Sequence, residues 1–365
     1  MYEKLEEYLD CVEDPRSLRN QRHPFMTLIG TSFLAALSGI DSFSGIQDFV
    51  EMHLESLSAY FDFPHGVPSH DTYQRLWDGV SPTQFKHSFS EFIAGLEKLS
   101  SDIISLDGKT IRNSGREKAL HIVSAWCHRN HLVFGQEKVS SKSNEIKAIP
   151  KVLDLLDLEN KVITIDAIGA QRSICQKIVD AGGDYVIALK GNQGQFYEDV
   201  KLYLQEARHH DMTHETHDKG HGRLECRRAA VSHQVKWLDQ RHAWPDLKTI
   251  GSMTSCVTRK DQESHSVRYY ISSLPLDGAR LNSIARQHWS IENQLHGSLD
   301  VVFNEDKACI RNDNAAENMD ILRKWAMAVL VRAKTKPDQT IKSLMRKNAM
   351  SLKHLLASLL SIFHA

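Results

Sequence analysis

The sequence predicts an α/β protein: a mixed β-sheet with flanking helices, a helical N-terminal segment, a β-rich insertion and a helical C-terminus. Three observations predict it. Helical periodicity dominates to about residue 98, then gives way from residue 102 to alternating, β-branched segments bounded by Gly, Asn or Ser. The elements that follow run β-β-β-α-β-α-β, an order that one sheet accommodates only by combining antiparallel hairpins with parallel crossovers. After residue 278 the helical pattern returns.

Each element has its own signal. LEEYLDCVED is amphipathic and is interrupted by Pro15 and the Arg16, Arg19, Arg22 cluster. Phe25–Ile40 is strongly apolar, with Gly30 and Gly39 as packing or end signals, and Ile46–Phe61 and Gln84–Leu99 continue the helical pattern. Ser69-His70-Asp71-Thr72 reads as a helix start. DIISLDGKTIR, ALHIVSAWCH and LVFGQEKVS are three strands at hairpin spacing. Asn144–Leu156 is a helix, KVITIDAIG a strand, QRSICQKIVDAGG a helix stopped by glycine, and DYVIALK a further strand. Residues 191–267 are polar, His-rich and irregularly β-like, which marks an insertion; RYYISSL (Arg268–Leu274) resumes the strands. Helices are expected over Gly278–His296, Asn314–Ala333 and Lys342–Phe363.

Composition excludes several classes. The 365 residues carry 45 Lys plus Arg against 46 Asp plus Glu, a net charge of −1, so a globally cationic coat for nucleic acid is out. No apolar run approaches the roughly 20 residues of a membrane span. The acidic start MYEKLEEYLDCVED does not resemble a secretory leader, and the six cysteines form no CxxC pair, so reduced thiols and a cytoplasmic location are expected. No GxxxxGK[ST] or GxGxxG occurs, which leaves no motif for a nucleotide cofactor. Charge is nonetheless uneven: Ile321–Lys353 holds nine basic residues and one acid, Asp338, a local +8 expected to face DNA.

Two aspartates stand out. Asp107 (IISLDGKT) and Asp166 (VITIDAIG) end or interrupt otherwise apolar strands, where an acid is costly unless compensated. Metal coordination is one compensation and a turn aspartate is another. Glu292 lies in SIARQHWSIENQLH with His288 and His296 one helical turn to either side, a stripe that faces either solvent or a polar site. Glu145, at a helix start, is expected to favour the dipole, and Asp300, Glu305 and Asp306 to pair with nearby bases; Glu305 is the second choice for a third acid. His209, His210, His214, His217 and His221, with Cys226 close by, fit no structural zinc spacing and read as a polar surface.

In this order, SLDGKTIR, SNEIKAIPKVLDLLDLENKVITIDAIGAQ, GDYVIALKGNQ, HGRLE, HWSIEN and LDVVFNED resemble the H-repeat-associated transposases of bacterial insertion sequences, within the DDE class with a ribonuclease H-like core. DPRSLRNQRHP, PSHDTYQRLW and IRNDNAAENMDILRKWA extend the likeness to nearly the whole chain. The resemblance implies a catalytic, metal-binding triad of Asp107, Asp166 and Glu292, with two Mg²⁺ ions (or Mn²⁺) driving phosphodiester cleavage and strand transfer. It also implies double-stranded DNA as partner, contacted by Lys109, Arg112, Lys190, Asn192, Arg223, Arg286, His288, Trp289 and His296, and a homo-oligomer holding two ends. Its expected organisation is a helical domain for DNA binding or dimerisation (1–98), a core in two parts (99–190 and 268–333), an insertion (191–267) and a basic C-terminal helix (334–365). The chain departs from the wider class at Ala285, His288 and Leu299, where Tyr, Arg and Lys are common, and from its branch at Gly297, where Trp is common. A DNA-binding remnant and a general metal-dependent nuclease are the alternatives.

Overall fold

The computed structural model describes residues 2–17, 19, 21–96, 103–114, 119–139, 145–220, 222–259 and 262–361. Asn144, His221 and Phe363 lie outside the described residues. Five helices come first: α1 (Tyr2–Leu9), α2 (Phe25–Leu37), α3 (Phe43–Leu57), α4 (His70–Gly79) and α5 (Pro82–Leu96). The sheet begins with β1 (Ile103–Ile111), β2 (Leu120–Cys127) and β3 (Leu132–Val139), then α6 (Glu145–Leu153), β4 (Val162–Ile165), α7 (Arg172–Asp180), β5 (Asp184–Leu189) and α8 (Gln195–Gln205). Four longer strands follow: β6 (Met212–Gly220), β7 (Arg223–Ser232), β8 (Thr249–Arg259) and β9 (Gln262–Ser272). The chain ends in α9 (Gly278–Ser290), a π-helical stretch (Ile291–His296), α10 (Gly297–Val301), α11 (Asp313–Arg332), α12 (Ile341–Met350) and α13 (Leu352–Leu360).

All nine strands join one sheet in the order β3-β2-β1-β4-β5-β9-β8-β7-β6. β1, β2 and β3 are antiparallel hairpins, whereas β4 and β5 run parallel to β1, the second through the α7 crossover. This is the mixed arrangement expected of a ribonuclease H-like core. The insertion does not form a separate sheet. β9 starts at Gln262, earlier than the strand expected at Arg268, and pairs with β5 at one end and with β8 along its length, so β6–β9 prolong the same sheet.

Side-chain alternation gives the sheet two apolar faces. On one, Ile104, Leu106, Val123 and Ile163 pack with Ile149 of α6, Ile174 of α7 and Phe196 of α8. On the other, Ile103, Val162, Val231 and Tyr270 pack with Leu281 and Ile284 of α9. β2 is buried along its whole length because both faces are covered. The N-terminal helices and α11–α13 share one further core with Trp126, Leu132 and Val133 of the sheet. Trp325 of α11 sits at its centre among Phe33, Phe85, Phe89 and Phe92, with ring centroids 5.0–5.9 Å away.

Two expectations for the C-terminal region need correction. The single helix expected over Lys342–Phe363 is two helices, separated at Ser351, whose hydroxyl accepts from the His354 backbone N–H and caps α13. The basic stretch is not one DNA-facing surface either. Arg323 and Lys324 are 4% and 3% exposed, because α11 is buried from Ala315 to Leu330. Lys324 donates to Asp320, Gln136 (2.8 Å) and Ser124 (3.1 Å), which replaces the hydration it has lost.

Candidate functional site

The parallel register pairs Leu106 with Ile165, so the next residues on the two strands, Asp107 and Asp166, stand side by side. β4 stops there. The Asp166 carboxylate turns back to accept from the Ile168 backbone N–H at 3.0 Å and opens a short 3₁₀ turn, Ala167–Gly169. Asp107 remains within β1 on the face of Ser105 and Lys109, the face that α9 crosses, and Ser105 donates to the Gln287 carbonyl of that helix.

The third acid arrives from α9. Trp126 of β2 donates to Ser290 Oγ at 3.1 Å and ties the end of α9 to the sheet. The expected continuous α-helix widens here into a π-helix, a local change that recurs at functional sites. The histidine stripe faces the strands and not open solvent: His288 Nδ1 lies 2.6 Å from Thr164 Oγ1 of β4, and His296 Nδ1 lies 3.6 Å from Asp107 Oδ2. Glu292, between them, is exposed, and its charge is felt at Asp107.

The electrostatics follow from this crowding. Burial first, then the charge of Asp166, with smaller contributions from Glu292 and Glu145, pushes the Asp107 carboxyl up to about 7. Asp166 is also raised, mainly by burial and then by Glu145, against the lowering pull of the Ile168 and Gly169 N–H groups and of Lys190. Both imidazoles are held neutral. Burial, then Arg268, lowers His288 to about 4; burial, then Lys109 and Lys324, lowers His296 to about 3. His296 Nε2 is buried with no hydrogen-bond partner, which leaves a polar atom free for a ligand next to Asp107.

Glu145 opens α6, as its sequence position suggests, but its side chain also has a partner on the sheet. It is 5% exposed and its carboxylate lies 2.6 Å from His121 Nε2, directly over Gly108. A Cβ at Gly108 would fall 2.6 Å from Glu145 Oε1 and 2.8 Å from His121 Nε2, so only glycine lets this pair approach β1. The sequence signal was the glycine after Asp107, not the helix start.

A groove of about 870 Å³ opens beside the cluster, between α9 and the strands β6–β9. Its walls carry Arg223, Arg227, Arg268, Arg286, His128 and Trp289. The Arg268 guanidinium lies over the Trp289 ring at 3.8 Å, and Asp218 ties Arg227 (2.6 Å) to Arg286 (3.0 Å). Glu225, also in the wall, pairs with Arg223 (3.3 Å) and Arg227 (2.6 Å), so the four arginines outnumber the two acids that partner them.

Residues 98–330 match the family described as the transposase DDE domain, and residues 6–93 match the segment described as associated with it. The chain belongs to the DDE transposase family. It is 37% identical to YbfL of Escherichia coli (strain K12), with 98% of both chains aligned. The same identity and coverage hold for the "H repeat-associated putative transposase YhhI" of that strain. Among solved structures, a piggyBac transposase synaptic complex with hairpin DNA aligns with a TM-score of 0.46 and 12% identity, over 91% of this chain and 72% of that one.

The remaining residues singled out from the sequence of this DDE transposase take up several different places. Lys190 and Asn192 stay at the cluster: Lys190 is exposed beside Asp166, and Asn192 donates to the Ala167 carbonyl at 2.8 Å, bracing the turn that carries Asp166. Arg223, Arg286 and Trp289 line the groove, joined by Arg227 and Arg268. Lys109 instead points inward and donates to Asp300 and Glu305. Glu305 is fully buried between Lys109 and Arg323, which occupies the second-choice acid. Arg112, 82% exposed at its side chain, stands 3.5 Å from Asp306. At Gly297 the helix continues with α-helical angles, and a Cβ there would meet nothing nearer than the Glu292 carbonyl at 3.5 Å. Among the described residues no helix is long and apolar enough to cross a membrane.

Proposed function

We propose that the chain is the transposase of a bacterial insertion sequence, which binds the element's terminal inverted repeats and cuts and rejoins DNA strands at Asp107, Asp166 and Glu292. The observation that carries this reading is the juxtaposition of Asp107 and Asp166 on neighbouring parallel strands, with both carboxyls raised above their ordinary range. Such raised values mark carboxyls whose charged form is disfavoured first by burial and then by neighbouring acids. Divalent cations fit this donor set, because hard ions prefer carboxylate oxygen. Two Mg²⁺ ions, or Mn²⁺ in their place, would be held by Asp107, Asp166 and Glu292. When bound, such ions supply Lewis-acid stabilisation of the phosphoryl group and an activated oxygen nucleophile at neutral pH.

The chain's own groups do the rest. Asp107, whose carboxyl burial and then Asp166 push up to about 7, would hold a cation in its deprotonated form. Neutral His296 and His288 place uncharged imidazoles at the cluster, where imidazolium would compete with a cation. Arg223, Arg268 and Arg286 hold phosphates along the groove and set the register of the duplex. Water attacks during cleavage and a freed 3′-hydroxyl during strand transfer, so no side-chain nucleophile is needed. Because two ends must be joined, the working form is a homo-oligomer on DNA, acting in the bacterial cytoplasm.

The test is cleavage of a plasmid carrying the element's ends, with Mg²⁺ or Mn²⁺, by the wild type, Asp107→Ala and Glu292→Ala. Cuts at the ends by the wild type alone are expected. End binding without cutting by the wild type would mean a DNA-binding remnant, and equal cutting of unrelated DNA a general nuclease. Undiminished cutting by Glu292→Ala would assign the third acid elsewhere.

A further inference from the structure

Strands β6–β9 present two faces, and only one belongs to the groove. Arg223, Arg227, Ser255 and Arg268 project into it. The opposite face carries a row of side chains that neither the groove nor an apolar core uses. His217 is paired with Cys226, Cys226 with Cys256, and Cys256 with His265. Directly paired residues of antiparallel strands project to the same side. Four donors therefore stand abreast on four consecutive strands, in the spatial order His-Cys-Cys-His.

The surroundings reinforce the row. Glu215 and Glu263 precede the two histidines by two residues and so share their face; the imidazole of His217 lies 2.9 Å from Glu215 and that of His265 3.5 Å from Glu263. The donor atoms of Glu215, His217 and Cys226 lie within 4.8 Å of one another, as do those of Cys256, Glu263 and His265. These two groups meet at the cysteine pair.

This part of the sheet also lacks an apolar core of its own. The inner halves of β7, β8 and β9 are buried, whereas their outer halves, and all of β6, are exposed or half-buried. The row crosses that outer half on the face away from α9, where strand pairing is the only regular support among the described residues; α9 holds the other face through polar contacts such as Arg286 to Asp218 and Asn282 to Thr216. Strands without an apolar core gain most from a cross-link, and a structural metal is one way to supply it.

We propose that Cys226 and Cys256, with His217 and His265 as flanking ligands, form a zinc site that clamps the outer half of β6–β9. Thiolate and imidazole select a borderline-soft ion such as Zn²⁺ over Mg²⁺, so this site and the carboxylate cluster take different ions. Adjacent strands lie about 4.8 Å apart and a Zn–S bond is about 2.3 Å, so an ion above the midpoint of the cysteine pair is within reach of both sulfurs. The site fixes the strands whose other face carries Arg223 and Arg227, so its loss loosens one wall of the groove without touching the carboxylates. The zinc reading stands on these four residues and holds whatever chemistry the carboxylates perform.

The test uses the full-length protein, reduced and stripped of metal, titrated with Zn²⁺ and separately with Co²⁺ while Mg²⁺ is in excess. One equivalent of Zn²⁺ per chain is expected, with a near-ultraviolet thiolate-to-cobalt charge-transfer band in the Co²⁺ form. Cys226→Ser and Cys256→Ser each cut the band by about half at saturating Co²⁺ and weaken binding at least tenfold, and the double variant abolishes both; His217→Gln and His265→Gln weaken binding with the band retained. Far-ultraviolet circular dichroism establishes that each variant is folded. Cys11→Ser, which removes the thiol from the separate Cys11, His87, Glu91 group, leaves binding unchanged, as does Asp107→Asn. Absence of stoichiometric binding, binding that survives the double serine variant, or binding lost with Cys11→Ser would each overturn the proposal. So would a Cys226–Cys256 disulfide in protein prepared without oxidant.

Discussion

Asp107→Asn removes a charge that the apo protein accommodates badly, so it stabilises the fold while abolishing the proposed chemistry. The Asp107 carboxyl is raised from 3.8 to about 7 in the folded chain. For a carboxyl whose folded pKa is raised, the native state holds a proton that the unfolded state has lost, so stability falls as pH rises from the unfolded to the folded value. At 1.36 kcal/mol per pKa unit, the full cost above pH 7 is about 4 kcal/mol, of which about 2.5 kcal/mol develops between pH 5 and pH 8. With an unfolding entropy of roughly 2.1 cal/mol/K for each of 365 residues, that part corresponds to about 3 °C in Tm. The assay is thermal unfolding of the wild type and Asp107→Asn with EDTA at both pH values. The wild type should lose about 3 °C relative to the variant on going from pH 5 to pH 8, and Mg²⁺ at pH 8 should restore part of it in the wild type only. Parallel pH profiles for the two proteins would refute the account of Asp107 as a buried, repelled carboxylate.

Three further outcomes are expected. Glu305→Gln leaves the buried Lys109 and Arg323 without their shared counter-charge and costs about 3–5 kcal/mol in urea unfolding, far more than the same change at exposed Glu292. Gly108→Ala drives a methyl group into the Glu145–His121 pair and costs about 1–3 kcal/mol, with a fall in end cleavage as β1 shifts, whereas Gly297→Ala makes only an ordinary van der Waals contact with the Glu292 carbonyl and is neutral or stabilising by up to about 1 kcal/mol. Arg223→Ala and Arg286→Ala each lower the log–log salt slope of DNA binding by about 1, read by titrating affinity against KCl; an unchanged slope would remove that arginine from the groove's phosphate contacts.

The pairing of Asp107 with Asp166 was the most legible part of the site. Each ends or interrupts an apolar strand, and the β-β-β-α-β order allows those strands to be neighbours, which the sheet order shows they are. Glu292 was only half legible. A His-Glu-His stripe is equally compatible with solvent and with a site, and the contacts to Thr164 and Asp107 settle which way it faces. Lys109, Arg323 and Lys324 were misleading for a general reason: a cation in a sequence carries no sign of whether its partner is a phosphate or a carboxylate from another element. Glu145 was read through its helix, although its partner His121 lies on a strand.

The sequence by itself determined most of the helices and strands of the core, the mixed character of the sheet, and two candidate carboxylates, because periodicity and apolar patterning are local properties; it missed α8, which lies inside the segment expected to be irregularly β-like. It also carried, through ordered motifs, the family. Tertiary structure alone decided that the insertion extends the main sheet, that α11 is buried with its charges, and that a groove forms under α9. It likewise placed His217, Cys226, Cys256 and His265 in one row, although 9, 30 and 9 positions separate them along the chain. Strand register places residues together that no spacing rule connects, since the neighbour of a side chain in a sheet is set by hydrogen bonding between strands and not by distance along the chain.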